Sequence, residues 1–393
     1  MRSQDKYKII NLKKCAVVFV IQMDYFNACT TVVPGKLFFA ELDPKKIPTL
    51  PTGAFFAPLL LPATPRKLAP RPLAVIEPSR ATVYTPLGAD FGPLDLATTC
   101  RYIYFLDERN ADCIVHVVLP KSSKQLKANA AVLLCAYSIF RLGCTDGESL
   151  AAVFDDWDLP GFIDAMGSEF KPTLRDICAG LLFAKSHGWF DPDTFQLQLI
   201  EDLQSVSGGD LNWILPGKFC AFAGPAVDVQ DTLTPQFYLE IFKSIQVTDV
   251  IRLNRAKYSS SVFTERGLNH HDLLFRDGSC PMPQLINKFF DIADAARGVI
   301  AVHCKAGLGR TVTLIALWMM REYSVRARTV LGWCRVARPG SVLGPQQDFL
   351  VEMENNHVSA SRVGREGIIG QGNALVHAKR RKKSVDRVLI SSN

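Results

Sequence analysis

Residues 299–311 have the sequence VIAVHCKAGLGRT, the strongest pattern in the chain. An apolar run is followed by Cys304, by a loop that contains two glycines, and by Arg310. The apolar run predicts a buried strand, and residues 310–323 predict a helix because they are apolar on most sides. A strand, a glycine-rich loop and a helix in direct succession indicate an α/β domain.

The loop is suited to binding an anion. Glycines let successive backbone N–H groups turn toward a ligand, the helix N-terminus adds partial positive charge, and a guanidinium can bind two phosphate oxygens. The same positive field favours a thiolate, so Cys304 is the predicted nucleophile. The predicted phosphate-binding residues are Lys305, Ala306, Gly307, Leu308, Gly309 and Arg310.

Hydrolysis of a phosphoester by this route takes two steps, in which Cys304 accepts the phosphoryl group and water then releases phosphate. Asp277, in the stretch LLFRDGSCP, is the predicted acid for the leaving alkoxide and base for the water. Thr311 is expected to hydrogen-bond the departing thiolate, and Gln346 and Gln347 to position the water. Without Cys304, Asp277 would indicate an ordinary turn and the glutamine pair a helix start.

Other chemistries fit the sequence less well. The set His270, His271, Cys280, His303 and Cys304 matches no zinc spacing. The loop has Val312 where a dinucleotide fingerprint has its third glycine, and no G-x-x-x-x-G-K occurs. We expect no metal and no cofactor.

The length of 393 residues predicts two domains. The composition SVSGGD at 205–210 suggests a flexible connector. The sequence therefore predicts a first domain over 1–195, a linker over 196–215 and a catalytic domain over 216–352. Residues 44–93 hold 11 of the 23 prolines and predict a long loop or insert in the first domain. Residues 15–21 predict an opening strand rather than a secretory signal.

The positive charge is concentrated at the C-terminal end. The net charge is +7, and residues 353–393 supply most of it, so the body is nearly neutral and does not resemble a nucleic-acid-binding domain. Residues 353–393 predict a basic, disordered tail. Its run 379–383 (KRRKK) indicates either a nuclear-localisation patch or a solvated tail, and we expect the protein in nucleus and cytoplasm.

The cysteines and the apolar runs suggest further properties. Eleven cysteines without a C-x-x-C pair are typical of reduced thiols. No apolar run approaches the ~20 residues of a membrane-spanning helix, so we expect no membrane partner. The sequence specifies no oligomeric state.

The string HCKAGLGRT resembles the signature of cysteine-dependent tyrosine and dual-specificity phosphatases. From about residue 30 to 353, the chain is similar to the Cdc-fourteen family of dual-specificity phosphatases. The stretches that carry this resemblance are 91–102, 127–137, 209–225, 270–281, 299–311 and 335–350.

The resemblance implies two tandem phosphatase-like domains, each a mixed sheet flanked by helices, of which only the second is catalytic. The sequence of the first domain agrees with this implication, since VVLPKSSKQLK after His116 contains neither Cys nor Arg. Phosphoproteins, the products of proline-directed kinases, are the implied substrates, with a preference for phosphoserine before proline and for basic residues beyond. Glu201 matches the family's acidic substrate groove, whereas Gln204 replaces an acid and Val312 a glycine.

Two alternatives stay open at this point. A phosphoinositide phosphatase is one, although such enzymes place a second lysine where this loop has Leu308. A phosphoprotein-binding pseudophosphatase is the other, with turnover disabled by Val312.

Overall fold

The computed structural model describes residues 26–34, 36–42, 56–58, 73–77, 84–109, 113–118, 122–225 and 233–361. The chain divides into two compact units. The first contains Met1–Ile163 and Lys171–Leu197, and the second contains Asp164–Phe170 and Gln198–Asn393. The short segment 164–170 therefore leaves the first unit and packs within the second.

The first unit is built on a five-stranded mixed sheet. Its strands are β1 (Phe26–Val33), β2 (Leu37–Leu42), β3 (Phe56–Pro58), β4 (Leu73–Glu77) and β5 (Cys113–Val118). Their order is β1-β2-β5-β4-β3, with β1 antiparallel to β2 and the other pairs parallel. Its helices are α1 (Leu96–Arg109), α2 (Lys124–Phe140), α3 (Gly147–Ala152) and α4 (Leu174–Ser186).

Helix α2 follows the central strand β5 and is the buried helix of this unit. It begins after Ser123, whose hydroxyl accepts a hydrogen bond from the Leu126 N–H and caps the helix. Every residue from Ala128 to Ile139 is buried. A helix that is apolar on all sides has to be surrounded by protein, which agrees with its sequence.

The second unit has its own five-stranded sheet. Its strands are β6 (Leu211–Leu215), β7 (Phe219–Phe222), β8 (Val247–Arg252), β9 (Asn269–Asp272) and β10 (Val299–His303). The helices are α5 (Leu197–Gln204), α6 (Pro235–Ser244), α7 (Ser261–Thr264), α8 (Pro283–Ala295), α9 (Arg310–Tyr323), α10 (Ala327–Ala337) and α11 (Pro345–Ser361). The strand order is β6-β7-β10-β8-β9, with only the β6–β7 pair antiparallel.

The two sheets are built alike except at one edge, where the last two strands are in opposite chain order. The outermost strand is β3, the earlier of its pair, in the first sheet and β9, the later of its pair, in the second. In each, an antiparallel edge pair leads into a parallel set, and the central strand connects to a buried helix, β5 to α2 and β10 to α9. Strand β10 is buried along its whole length, as expected for a strand covered on both faces. The prediction of two tandem domains, each a mixed sheet flanked by helices, is confirmed.

The boundaries differ from the sequence-based ones in three places. The predicted linker 196–215 contains α5 and the edge strand β6, and from Gln198 onward it belongs to the second unit. The proline-rich stretch 44–93 contains β3 and β4, because Leu73–Glu77 is free of proline and can pair on both sides. Helix α11 continues past residue 353 to Ser361.

Two predictions lie outside the described residues: the opening strand at 15–21 and the tail beyond residue 361. Within the described part of the chain, none of the helices is both long enough and apolar enough to span a bilayer.

Candidate active site

Cys304 is the first residue after the central strand β10 and is only 3% exposed. The loop 304–309 then leads into α9, which begins at Arg310. The N-cap residue of α9 is Gly309, which has no side chain to satisfy the first N–H groups of the helix. Those groups are therefore available to an anion held beside Cys304.

The carbonyl groups of the loop are bound on its outer side. The Gly224 N–H donates to the Lys305 carbonyl at 2.9 Å, and Arg338 donates from Nη2 to the Ala306 carbonyl and from Nε to the Gly307 carbonyl, both at 2.9 Å. Because the N–H of a trans peptide points opposite to its carbonyl, the following N–H groups are turned toward the other side of the loop. This arrangement can bind an anion on the inner side of the loop.

Arg338 contacts the loop, and the sequence pattern did not single it out. Its side chain is 2% exposed. Beyond the loop, its Nη1 donates to the Asp210 carbonyl at 3.0 Å and to Asn212 Oδ1 at 2.6 Å, and Nη2 lies 3.0 Å from Asp210 Oδ1. The guanidinium charge of Arg338 is thus paired with Asp210, and the side chain connects the loop to the β6 end of the sheet. It lies within the stretch RVARPGSVLGPQQ, but the sequence alone gives no partner for it.

Arg310 and Asp277 are brought together over the loop. Arg310 is 4% exposed, and its Nη1 donates to the Leu253 carbonyl at 3.2 Å and the Phe275 carbonyl at 3.0 Å. Its Nη2 lies 3.0 Å from Asp277 Oδ1, whereas the Asp277 side chain is 70% exposed. The structure thus places an exposed carboxylate against a buried guanidinium that two backbone carbonyls hold.

A chain of hydrogen bonds runs behind the nucleophile. His303 Nδ1 lies 3.0 Å from the Cys304 carbonyl, its Nε2 lies 2.7 Å from the Tyr258 hydroxyl, and that hydroxyl lies 3.1 Å from His270 Nε2. Burial lowers the pKa of His303 to about 3 and that of His270 to about 4. Both rings are therefore neutral at pH 7. In the arrangement that satisfies each contact, His303 donates from Nδ1 to the carbonyl and accepts the Tyr258 hydroxyl at Nε2.

The two predicted glutamines have different surroundings. Gln346 donates from Nε2 to the Ser279 carbonyl at 2.8 Å. Its buried Oε1 has no partner among the described residues, and it would lie 2.7 Å from a Cβ built on Gly309. Gln347 is fully buried in contact with Arg335 and Asp164. The structure thus brings Gln346 to the loop and holds Gln347 away from it.

The other predicted residues occupy less decisive positions. Thr311 is fully buried in the first turn of α9, and its hydroxyl has no partner among the described residues, so it can bond a ligand of the loop. Val312 is fully buried in the same turn. Glu201 is half-buried on α5, and its role in substrate recognition stays a prediction.

The three histidines considered as metal ligands have other partners. His303 and His270 bond Tyr258, and His271 Nε2 lies 2.9 Å from Asp249 Oδ1. In the parts of the chain that the structure describes, no group of three or more His, Cys, Asp or Glu side chains could hold a metal ion.

The geometry of the second unit defines a cysteine-dependent phosphatase domain. Comparison with protein families agrees. Residues 31–184 match the model described as "Dual specificity protein phosphatase, N-terminal half", and residues 229–324 match "Polymorphic toxin system, DSP-PTPase phosphatase".

Curated relatives identify the family more closely. The chain is 38% identical over 304 residues to human dual specificity protein phosphatase CDC14C, an alignment covering 74% of this chain and 68% of the relative. It is 39% identical over 287 residues to human CDC14A, covering 69% and 48%. It is 36% identical over 324 residues to the tyrosine-protein phosphatase cdc-14 of Caenorhabditis elegans, covering 78% and 45%.

The chain belongs to the CDC14 family of dual specificity protein phosphatases. It spans about half the length of human CDC14A and of the C. elegans relative.

Proposed function

We propose that this protein is a dual specificity protein phosphatase that hydrolyses phosphoserine, phosphothreonine and phosphotyrosine esters through a phosphocysteine on Cys304. One observation carries the proposal: Cys304 follows β10 directly and begins a loop whose carbonyl groups accept hydrogen bonds from Arg338 and Gly224 on its outer side. Such a loop presents N–H groups to a phosphate held against the sulfur.

In the first step, the Cys304 sulfur attacks phosphorus and the ester P–O bond breaks. Arg310 binds two of the phosphate oxygens, since its guanidinium is already fixed by two backbone carbonyls. Binding of the dianion displaces Asp277 from Arg310. The freed carboxylate takes up a proton from solvent, and the resulting carboxyl group donates it to the leaving alkoxide or phenoxide.

In the second step, a water oxygen attacks phosphorus, the P–S bond breaks and Cys304 leaves as a thiolate. Asp277 accepts the proton of the water, and the Thr311 hydroxyl stabilises the thiolate by a hydrogen bond. Gln346 orients the water, because its unpartnered Oε1 lies beside the loop. Inorganic phosphate is released, and no metal or cofactor takes part.

The family relationship supports phosphoproteins as substrates. We further propose a preference for phosphoserine or phosphothreonine followed by proline, as in cell-cycle proteins phosphorylated by proline-directed kinases. Glu201, next to Gln204 instead of a second acid, supports only a weak preference for a basic residue beyond the proline. A panel of phosphopeptides that vary the phosphorylated residue, its successor and a downstream Lys measures each preference by kcat/KM.

Localisation in nucleus and cytoplasm is proposed from the run 379–383 alone. Deletion of residues 379–393 should move a fluorescent fusion out of the nucleus. An unchanged distribution would leave the run as a solvated tail.

The decisive experiment for the activity is Cys304→Ser. We expect it to abolish phosphate release, because a serine hydroxyl in the same place is a far weaker nucleophile at neutral pH. Cys144→Ser, at a half-buried cysteine of the first unit, is the matched control and should keep wild-type activity. Full activity in Cys304→Ser would refute the proposed mechanism.

The two other candidate functions are outcomes of the same assays. Faster release from soluble inositol phosphates than from phosphopeptides would indicate a phosphoinositide phosphatase. Tight binding of phosphopeptide by the wild type with no phosphate release would indicate a pseudophosphatase. The Arg310–Asp277 pair favours turnover, since a domain that only binds phosphate needs no proton donor beside the arginine that binds it.

A further inference from the structure

Asp164 belongs to the first half of the sequence but packs within the second unit, in the segment 164–170. Its side chain is fully buried. We propose that Asp164 is a positioning residue for hydrolysis of the phosphocysteine, because it holds the turn that presents Gln346 to the loop. This inference rests on the proposed function.

The carboxylate of Asp164 binds both ends of the turn 344–347. Its Oδ2 accepts hydrogen bonds from the Gly344 N–H and, at 3.3 Å, from Gln347 Nε2. The carboxylate is itself held in place by Ser168, whose N–H donates to Oδ1 at 2.8 Å and whose hydroxyl donates to Oδ2 at 2.9 Å. Hydrogen bonds to a buried carboxylate are among the stronger ones in proteins, so the turn has little freedom.

Gln347 extends this attachment to α10. Its Oε1 accepts a hydrogen bond from Arg335 Nη2 at 2.7 Å, in a fully buried contact. A guanidinium offers only donors and a carboxylate only acceptors, so the amide is held with its oxygen toward Arg335 and its nitrogen toward Asp164. Gln347 is thus a link between two buried charges, not the residue that meets the water.

Gln346 is the residue of this turn whose side-chain oxygen is available to a ligand. It lies between Gly344 and Gln347 in the chain, and its Nε2 is already bound to the Ser279 carbonyl. Its Oε1 is a buried acceptor without a partner among the described residues, beside Gly309. A displacement of the turn by a fraction of an ångström would misplace this acceptor. It would leave Cys304, Arg310 and Asp277 where they are.

The two chemical steps should therefore respond differently to loss of the Asp164 charge. In Asp164→Asn the amide keeps the shape but has one acceptor oxygen in place of two. With p-nitrophenyl phosphate, we expect the burst of p-nitrophenol to keep its rate. The later hydrolysis should slow about tenfold, as is typical when a positioning contact is weakened. The acid-quenched phosphocysteine, measured by intact mass, should accumulate.

Two further variants of the full chain complete the test. Gln346→Ala should show the same accumulation. Asp249→Asn is the matched control, since Asp249 is also a buried carboxylate of the second unit, with Thr248, Asn269 and His271 as partners. It should leave the ratio of the two steps unchanged, even if its melting temperature falls.

Equal slowing of both steps in Asp164→Asn, or no change in either, would overturn the inference. If Asp164→Asn does not fold, Gln347→Leu carries the same test, because it cuts the link between Arg335 and Asp164. If Gln347→Leu does not accumulate phosphocysteine, the inference is likewise overturned.

Accumulation in Gln346→Ala without accumulation in Asp164→Asn would reject the role of Asp164 and keep the proposed function. Absence of phosphocysteine in every variant and in the wild type would reject the proposed function itself.

Discussion

At the scale of single residues, Asp277 and Arg310 differ in their exposure to solvent: the carboxylate is exposed and the guanidinium is buried. Arg310 is buried and fixed by the Leu253 and Phe275 carbonyls, so it can bind phosphate without reorganisation. Asp277 is exposed and is held by one ion pair, so a phosphate can displace it. The carboxylate end of the pair is open to water, which weakens the attraction and lets a dianionic phosphate compete for the guanidinium.

Asp277→Asn tests the acid role. We expect kcat/KM for a phosphoserine peptide to fall by about 10²–10⁴, the usual worth of general acid catalysis. The loss should be much smaller for p-nitrophenyl phosphate, whose leaving group needs little help from a proton donor. Steady-state assays on both substrates measure the contrast. Asp291→Asn, at an exposed position on α8, is the control and should change neither rate.

An equal loss on both substrates would contradict the acid role. It would show that Asp277 supports the structure of the site and does not donate a proton.

At the scale of elements, the loop depends on a close approach to β7. Gly307 has a φ of +66°, and a Cβ placed there would lie 2.2 Å from the Phe222 carbonyl oxygen. The loop therefore needs glycine for two separate reasons: a left-handed backbone and the absence of a side chain. Arg338 holds the same peptide from the outside through its carbonyl.

Gly307→Ala should distort the loop. We expect a loss of about 100-fold in kcat/KM, because a displaced cradle no longer aligns phosphate with Cys304. Vanadate, an oxyanion that binds such loops, should bind more weakly, as measured by inhibition of residual activity.

The matched control is Gly217→Ala, in the turn between β6 and β7. Its φ is +73°, but no atom lies within 4 Å of the added Cβ. It should lower the free energy of unfolding by about 1–2 kcal/mol through backbone strain and leave kcat/KM unchanged. Equal activity losses in both variants would show that strain, not the contact with β7, is responsible.

At the scale of the whole molecule, each unit has a mixed five-stranded sheet with an antiparallel edge pair, and each contains a histidine buried in its sheet. Burial lowers the pKa of His116 in the first unit and of His303 in the second to about 3. The unfolded chain binds a proton near the ordinary pKa of 6.5, whereas the folded protein stays neutral until about 3. Between these values the unfolded state binds more protons, so stability falls as the pH falls.

We therefore expect the melting temperature to decrease from pH 7 to pH 5. The linkage amounts to about 2 kcal/mol for each buried histidine over this interval. Differential scanning calorimetry at both pH values measures the change. His116→Gln should reduce the pH dependence of the first unit, and His187→Gln, at an exposed position, should not. A melting temperature that rises toward pH 5 would contradict this account.

The sequence by itself determined the features that are contiguous in the chain. Cys304, the loop and Arg310 follow one another in a fixed order. The apolar run before them predicted a buried strand, so the place of Cys304 between a strand and a helix was predictable. The alternation of strands and helices in the second half likewise predicted an α/β domain, whereas two tandem domains of this kind were implied by the family resemblance.

Only the tertiary structure decided the features that depend on contacts distant in sequence. Gln346 and Gln347 are adjacent and chemically identical, and they differ only because Asp164 and Arg335 bind one of them. Arg338 became part of the loop for the same reason. A buried polar group takes its role from the partner that satisfies it, and that partner can come from any part of the chain once it has folded.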